Sequence, residues 1–227
     1  YTVMITPAIK NKIMAIVNVF ETGTPEGRYD AIAIFPDGRN GSRQITYGRS
    51  QTTEQGNLRN LLERYIAIGG KFSGEFNAFL PKVGAVPLVD NKDFKDLLKK
   101  SAKEDPLMRQ AQDETFEILY FQPALHFFTA EQFALPLSLL VIYDSYIHSG
   151  SIPGFLRVRF PERTPLRGGD EKAWIAAYTK ARQNWLATHK KKVLHPTVYR
   201  TKTFIDQMSK GNWMLDQPVT TQGKTIA

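Results

Sequence analysis

The chain has 227 residues, of which 42% are hydrophobic, 23% charged and 11% aromatic. That composition excludes a disordered, collagenous or low-complexity chain, and the length is ample for a real core. The absence of cysteine excludes disulfides, zinc–thiolate sites, iron–sulfur clusters and cysteine nucleophiles, while 30 Lys and Arg against 22 Asp and Glu give a net charge of +8, which favours anionic polymers as partners.

The first predicted element is an amphipathic helix over residues 7–21. Ile9, Ile13, Ile16, Val17 and Phe20 fall at i, i+3/i+4 spacing, Pro7 suits the first turn and Thr22-Gly23 ends it. Residues 29–35 then read as a short strand, Pro36-Asp37-Gly38-Arg39-Asn40-Gly41 as turn chemistry, and residues 44–47 as the returning strand of a small hairpin. Leu58, Leu61, Leu62, Tyr65 and Ile66 mark a second helix closed by Gly69-Gly70, and short helices follow near 76–83 and 94–103.

Asp105-Pro106 is an N-cap and first-turn pair that opens a long helix to about residue 120, and Pro123 kinks or restarts it. Residues 137–148 are apolar on nearly every face, which predicts a buried central helix. Residues 156–159 read as a short β-like piece. Helices follow over 170–187 and near 197–208, and Trp213 falls in an irregular tail.

No internal repeat and no linker composition interrupts the chain. The expectation is a single domain over residues 1–227, mainly α with a small β-hairpin (α+β). The longest nearly apolar run, residues 133–143, contains Pro136 and Ser138 and is short of the roughly 20 residues a membrane span needs, so no membrane insertion is expected. Tyr1-Thr2-Val3-Met4 lacks the basic start and apolar stretch of a signal peptide and lacks an initiator methionine. The reading therefore expects a portion of a longer chain that could carry other domains.

Common chemical signatures are missing from the sequence. There is no phosphate-cradling glycine motif, no nucleophile elbow and no nucleic-acid fold signature, so nucleic acid is not an expected partner. His126, His148, His189 and His195 never stand at i, i+3/i+4 from one another, so no metal site is expected. What remains is carboxylate chemistry. Glu21 falls at the C-terminal end of the first helix, where the dipole and the flanking Phe20 both disfavour its charged form, the property a general acid needs. The alternative is a plain solvated helix end. Asp37, in the hairpin turn, is either ordinary turn composition or a second carboxylate.

Several segments carry a resemblance. Asp37-Gly38 followed by Ile45-Thr46-Tyr47-Gly48, then Gln110-Ala111-Gln112-Asp113 to Tyr120-Phe121-Gln122-Pro123-Ala124, are similar to stretches of the chitosanases of glycoside hydrolase family 46, in the wider lysozyme-like superfamily. Ile142-Tyr143-Asp144-Ser145 to His148-Ser149-Gly150, and Thr164-Pro165 to Gly168-Gly169-Asp170-Glu171 with Ala181-Arg182, resemble further segments in the same order. Glu21-Thr22-Gly23 and residues 45–51 also look like phage- and secretion-associated peptidoglycan hydrolases.

The resemblance implies a lysozyme-like two-lobed fold with a cleft between the lobes, no cofactor, and inverting hydrolysis with roughly 6.5–9.5 Å between the two carboxyls. In that reading Glu21 is the general acid, Asp37 the general base and Thr46 holds the attacking water. Asp30 or Glu26 is the alternative base. Arg39, Tyr47, Arg49, Gln51 and Asn57 line sugar subsites, with Tyr65 and Trp213 as further stacking candidates. Asp144 and Arg182 form a buried structural charge pair.

On charge, the reading ranks peptidoglycan above chitosan. Arg39, Arg43 and Arg49 suit an anionic polymer, and Asn57 stands where the family tends to place Asp. The enzyme would then act in the bacterial periplasm or cell wall, secreted or delivered by a phage or secretion system. A non-catalytic alternative is a wall-binding module. Lys190-Lys191-Lys192, Lys202, Lys210 and Lys224 form a basic C-terminal region that suits polymer binding or merely keeps the surface soluble.

Overall fold

The computed structural model describes residues 5–49 and 51–227. The Tyr1-Thr2-Val3-Met4 start and Ser50 of the 45–51 motif lie outside the described residues. The chain forms two compact units. One comprises the residues up to Glu26 together with Tyr120–Ala227, the other Gly27–Leu119.

The first unit is built on helices. Helix α1 (Pro7–Thr22) starts where the Thr6 hydroxyl accepts the Ile9 N–H, and stops at Gly23, whose φ of 77° lets its N–H close on the Val19 carbonyl. After residues 27–119 the chain re-enters this unit and forms α6 (Gln122–Ala130), which follows a π-helical turn over Glu117–Phe121 and has Pro123 in its first turn. Helix α7 (Pro136–Ser149) is buried from Pro136 to Ser145, as its all-round apolarity predicted. Helices α9 (Glu171–Thr188), capped by Asp170, and α10 (Tyr199–Ser209) pack on one another and on α7.

Two expectations fail in this unit. Residues 156–159 are not β-like: Gly154–Arg157 is a helical turn, α8. The Arg157 guanidinium donates to the Glu162 carbonyl (2.8 Å), Leu156 is buried, and no strand among the described residues offers a ladder partner. The tail is not irregular either. Val219–Thr221 and Lys224–Ile226 pair antiparallel around Gln222-Gly223, both at positive φ as a two-residue hairpin turn requires. This hairpin packs against α1 and α10.

The second unit places a three-stranded antiparallel sheet, β1 (Ile32–Phe35), β2 (Gln44–Tyr47) and β3 (Thr52–Thr53), beside α2 (Leu58–Ala67), α3 (Ser73–Phe79), α4 (Lys92–Glu104) and α5 (Pro106–Phe116). Strand β3 is an addition to the predicted hairpin. Asp105 caps α5 through Leu107 N–H (3.0 Å) and also accepts from the Tyr65 hydroxyl (2.6 Å), joining the α2 core to the start of α5. No helix among the described residues is long and apolar enough to cross a membrane.

The core of the first unit contains charge. Asp144 and Arg182 are both fully buried and meet at 2.7 Å, and Arg200 from α10 reaches the other Asp144 oxygen at 2.6 Å. Burial alone would push the Asp144 carboxyl up; the guanidiniums of Arg200 and Arg182 outweigh it and hold it below the ordinary range. Arg182 also lies 3.0 Å from His148 Nδ1. Arginine only donates, so this nitrogen accepts and His148 is neutral. Burial and the two guanidiniums push His148 down from 6.5 to about 3, against the opposing pull of Asp144.

These shifts have a sign in stability. Between about 6.5 and about 3, an unfolded His148 takes up a proton that the folded one refuses, so stability falls as pH drops through that window. The expected slope is at most about 1.4 kcal/mol per pH unit from this residue. His148→Gln, which keeps an acceptor for Arg182, should flatten the acid side of a melting-temperature-against-pH curve. Asp144→Asn leaves two buried guanidiniums without their shared carboxylate and should cost about 3–5 kcal/mol in chemical denaturation at pH 7.

Candidate active site

Glu21 sits in the last turn of α1, and its side chain is 7% exposed. The sequence predicts a carboxyl influenced by the helix dipole and Phe20. The fold adds a cation: the Arg200 guanidinium forms an ion pair with Glu21 Oε1 and lies 5.5 Å over the Phe20 ring. Arg200 is held in place from both sides. Its neighbour Tyr199 donates its hydroxyl to the Phe20 carbonyl at 2.7 Å, and the Tyr199 and Phe204 rings pack on Phe20 at 5.8 and 5.7 Å.

The result is a row of alternating charges, Glu21, Arg200, Asp144 and Arg182, ended by neutral His148. Two carboxylates balance two guanidiniums, which is the condition under which buried charge is tolerated. Burial would lower the Arg200 guanidinium, but Asp144 and Glu21 outweigh it and raise it further above its ordinary value. Sequence reading found Glu21, Asp144 and Arg182 but missed Arg200, the group that joins them.

In the other unit, Asp37 is exposed at the end of β1, on the turn before a 3-10 segment over Arg39–Gly41. A pair of glutamines fixes this turn. Gln44 Nε2 donates to Asp37 Oδ1 (2.9 Å) while Gln44 Oε1 accepts from Gln55 N–H (3.0 Å). Gln55 in turn accepts from Arg39 N–H (2.7 Å) and donates to the Ser42 hydroxyl (2.9 Å). A Cβ at Gly38 would stand 2.6 Å from both Gln55 Nε2 and Ser42 Oγ, so the turn needs glycine there. Neither glutamine was singled out by the sequence: Gln44 is a buried polar residue in a strand and Gln55 a half-buried turn residue, and neither position gives a periodic signal.

Thr46 is buried on β2, and its hydroxyl has no hydrogen-bond partner among the described residues. A buried hydroxyl left unsatisfied is costly, and a site that holds a water is one remedy. On β3's far side Glu54, 2% exposed, accepts from Ile45 N–H (3.1 Å) and from Leu88 N–H, tying the sheet to the loop before α4. Arg39 is exposed and borders a cavity of about 120 Å³ with Glu54, Gln55 and Val86. Gln51 is exposed at a positive φ of 52°, and Asn57 is half-buried just before α2. Asp30, the alternative base, stands 3.6 Å from Lys103; Glu26 is exposed.

Three expected sugar contacts are corrected. Tyr47 is fully buried and donates its hydroxyl to the Leu98 carbonyl (2.8 Å), so it offers no ring to a sugar. Tyr65 is buried likewise. Arg49 is buried, paired with Asp113 at 2.5 Å and laid 4.6 Å over the Phe116 ring, so it is a structural cation. Asp113 also accepts from Tyr29, whose hydroxyl is pushed up to about 12 by burial and by that carboxylate. Beside it, Gln112 accepts from Arg49 N–H and donates to the Tyr29 carbonyl, closing the two ends of the hairpin onto α5. Trp213 is half-buried, with Lys172 5.5 Å from its ring. No cluster of three or more His, Asp or Glu able to hold a metal ion occurs among the described residues.

The chain is similar to several known proteins. A chitosanase of Bacillus subtilis strain 168 is 26% identical over 187 residues, covering 76% of this chain; the chain spans 65% of that relative's length, a little under two thirds. A solved Gynuella sunshinyii chitosanase in complex with chitotetraose superposes with a TM-score of 0.83 at 22% identity, covering 98% of each chain. A mutant Bacillus subtilis chitosanase complexed with six GlcN gives 0.84 at 21% identity, over 97% of this chain and 98% of the other. The fold is therefore the lysozyme-like, mainly helical one with a small sheet. The model of Glycosyl hydrolase family 46 matches residues 15–219, which include Glu21, Asp37, Thr46 and the whole buried charge row, and the chain belongs to that family.

Proposed function

We propose that this chain hydrolyses the β-1,4 links of chitosan outside the cell, by inverting general acid–base catalysis. The observation that carries the reading is membership of family 46 across residues 15–219, joined by a relative whose name is chitosanase. In this reading Glu21 protonates the leaving glycosidic oxygen, and Arg200 positions it. Asp37, aimed by Gln44, takes the proton of a water that the Thr46 hydroxyl helps hold. No cofactor takes part, since acid–base hydrolysis of a glycoside is complete with two carboxyl groups and water.

The charge argument that favoured peptidoglycan weakens once the charge is located. Residues 27–119, which carry Asp37, Thr46, Arg39 and Asn57, hold 14 Lys and Arg against 13 Asp and Glu, a net charge of +1. The remaining +7 lies in the rest of the chain. Arg49 is neutralised by Asp113, and Arg43 faces Asp90 at 3.2 Å. A near-neutral unit does not repel a polycation at range. None of the relatives described above is a peptidoglycan hydrolase by name.

Product analysis by mass spectrometry tests the reading. Wild type should release chitooligosaccharides from chitosan, and Glu21→Gln should abolish them. Soluble muropeptides from purified sacculi, with chitosan untouched, would overturn it. Proton NMR during the first turnovers should show the α-anomer first; an initial β-anomer would contradict inversion. Asp37→Asn should lower kcat by about 10²–10⁴-fold. Gln44→Leu should lower kcat while KM and the fold stay near wild type, because it releases Asp37 without removing it.

A further inference from the structure

We propose that helix α8, the C-terminal end of α9 and the turn that follows form a docking face for an anionic phospholipid surface. This goes beyond the reaction proposed above and does not depend on it.

The face begins with an aromatic row. Phe155 packs edge-on against Trp185 (5.2 Å), and Trp185 against His189 (5.2 Å). The Arg159 guanidinium stands 5.6 Å from the Phe155 ring. Val158, three residues along the chain from Phe155, is 82% exposed, and Val193, four residues along from His189, is 68% exposed; they are the most exposed large apolar side chains among the described residues. Phe155 itself is 49% exposed. Nothing among the described residues covers them.

Cations stand next to these residues in the chain. Arg159 and Lys190, Lys191 and Lys192 are exposed, and none forms an ion pair among the described residues. From Lys172 to Ile205 the chain has no Asp or Glu at all, while it carries eight Lys and Arg. Only Arg182 and Arg200 of these eight are consumed by the buried charge row. Glu162 is the acidic residue next along the chain from Arg159, and it lies in a groove that Arg159 and Lys180 already border. The lysine run is held in an ordered turn. His189 Nδ1 accepts the Lys191 N–H (2.9 Å), His195 Nε2 donates to the His189 carbonyl (2.7 Å), and a 3-10 segment follows over Lys192–Val198.

A soluble polyanion would satisfy the lysines but leave both valines and the Phe155 ring in water. A lipid interface satisfies both sets at once. Phosphates meet the Lys and Arg heads, while short apolar side chains and an indole enter the boundary between headgroup and acyl chain. The depth this allows is peripheral, since no helix of the face is long enough to span.

Co-sedimentation of the whole chain with vesicles tests this. Wild type should sediment with phosphatidylglycerol–phosphatidylcholine vesicles and at least tenfold less with phosphatidylcholine alone, with a blue shift of tryptophan emission on binding. Lys190→Gln/Lys191→Gln/Lys192→Gln should weaken partition tenfold or more. Val158→Ser/Val193→Ser should weaken it several-fold with an unchanged melting temperature, since both sites are exposed. Failure to sediment with the anionic vesicles, or equal sedimentation with both kinds, would overturn the proposal. Capture by inorganic polyphosphate that the valine substitutions leave intact, with no vesicle binding, would overturn it in favour of a soluble polyanion.

Discussion

Arg200 makes two contacts that the rest of its unit is arranged around: one to Glu21 on α1 and one to Asp144 on α7. A guanidinium 4% exposed is tolerable only because its fork meets two carboxylates, and Asp144 is tolerable only because a second guanidinium, Arg182, meets its other oxygen. Three helices and the end of α1 are thereby placed by electrostatics as well as by packing. Apolar side chains of similar volume would fill the same space. They would not fix where a carboxylate at the end of α1 points.

That constraint also gives the candidate acid its surroundings. A glutamate at a helix C-terminus has the dipole against it, and here a cation compensates. In the other unit the same task is done with neutral groups. Asp37 is exposed, and its orientation comes from the Gln44–Gln55 pair instead of a charge. The two carboxylates are thus held by different chemistry, one by buried ions and one by amides on a sheet edge.

Much of the helical framework was legible because it is local. Ile13, Ile16 and Val17 repeat at helical spacing, Asp105-Pro106 and Asp170 are caps, and Gly23 is a stop. The misses have physical reasons. Strand β2 is buried at all four positions, so alternation could not tell which side chains face outward, and Tyr47 was assigned to a sugar. Arg49 was read as a surface cation because its partner Asp113 lies 64 residues away. Arg200 is 179 residues from Glu21, a separation that leaves no periodic trace. The C-terminal hairpin was visible in principle, as Thr220 and Thr221 and then Thr225 and Ile226 flank Gln222-Gly223, but three-residue strands fall below the length at which alternation can be recognised.

The central claim is that Glu21 and Asp144 are coupled through Arg200. A double-mutant cycle of Glu21→Gln and Asp144→Asn, read as unfolding free energy in denaturant, measures this directly. The account predicts a coupling of about 0.5–3 kcal/mol, because each substitution changes what the other carboxylate must balance. Additivity within about 0.3–0.5 kcal/mol would show two independent contacts and would contradict it.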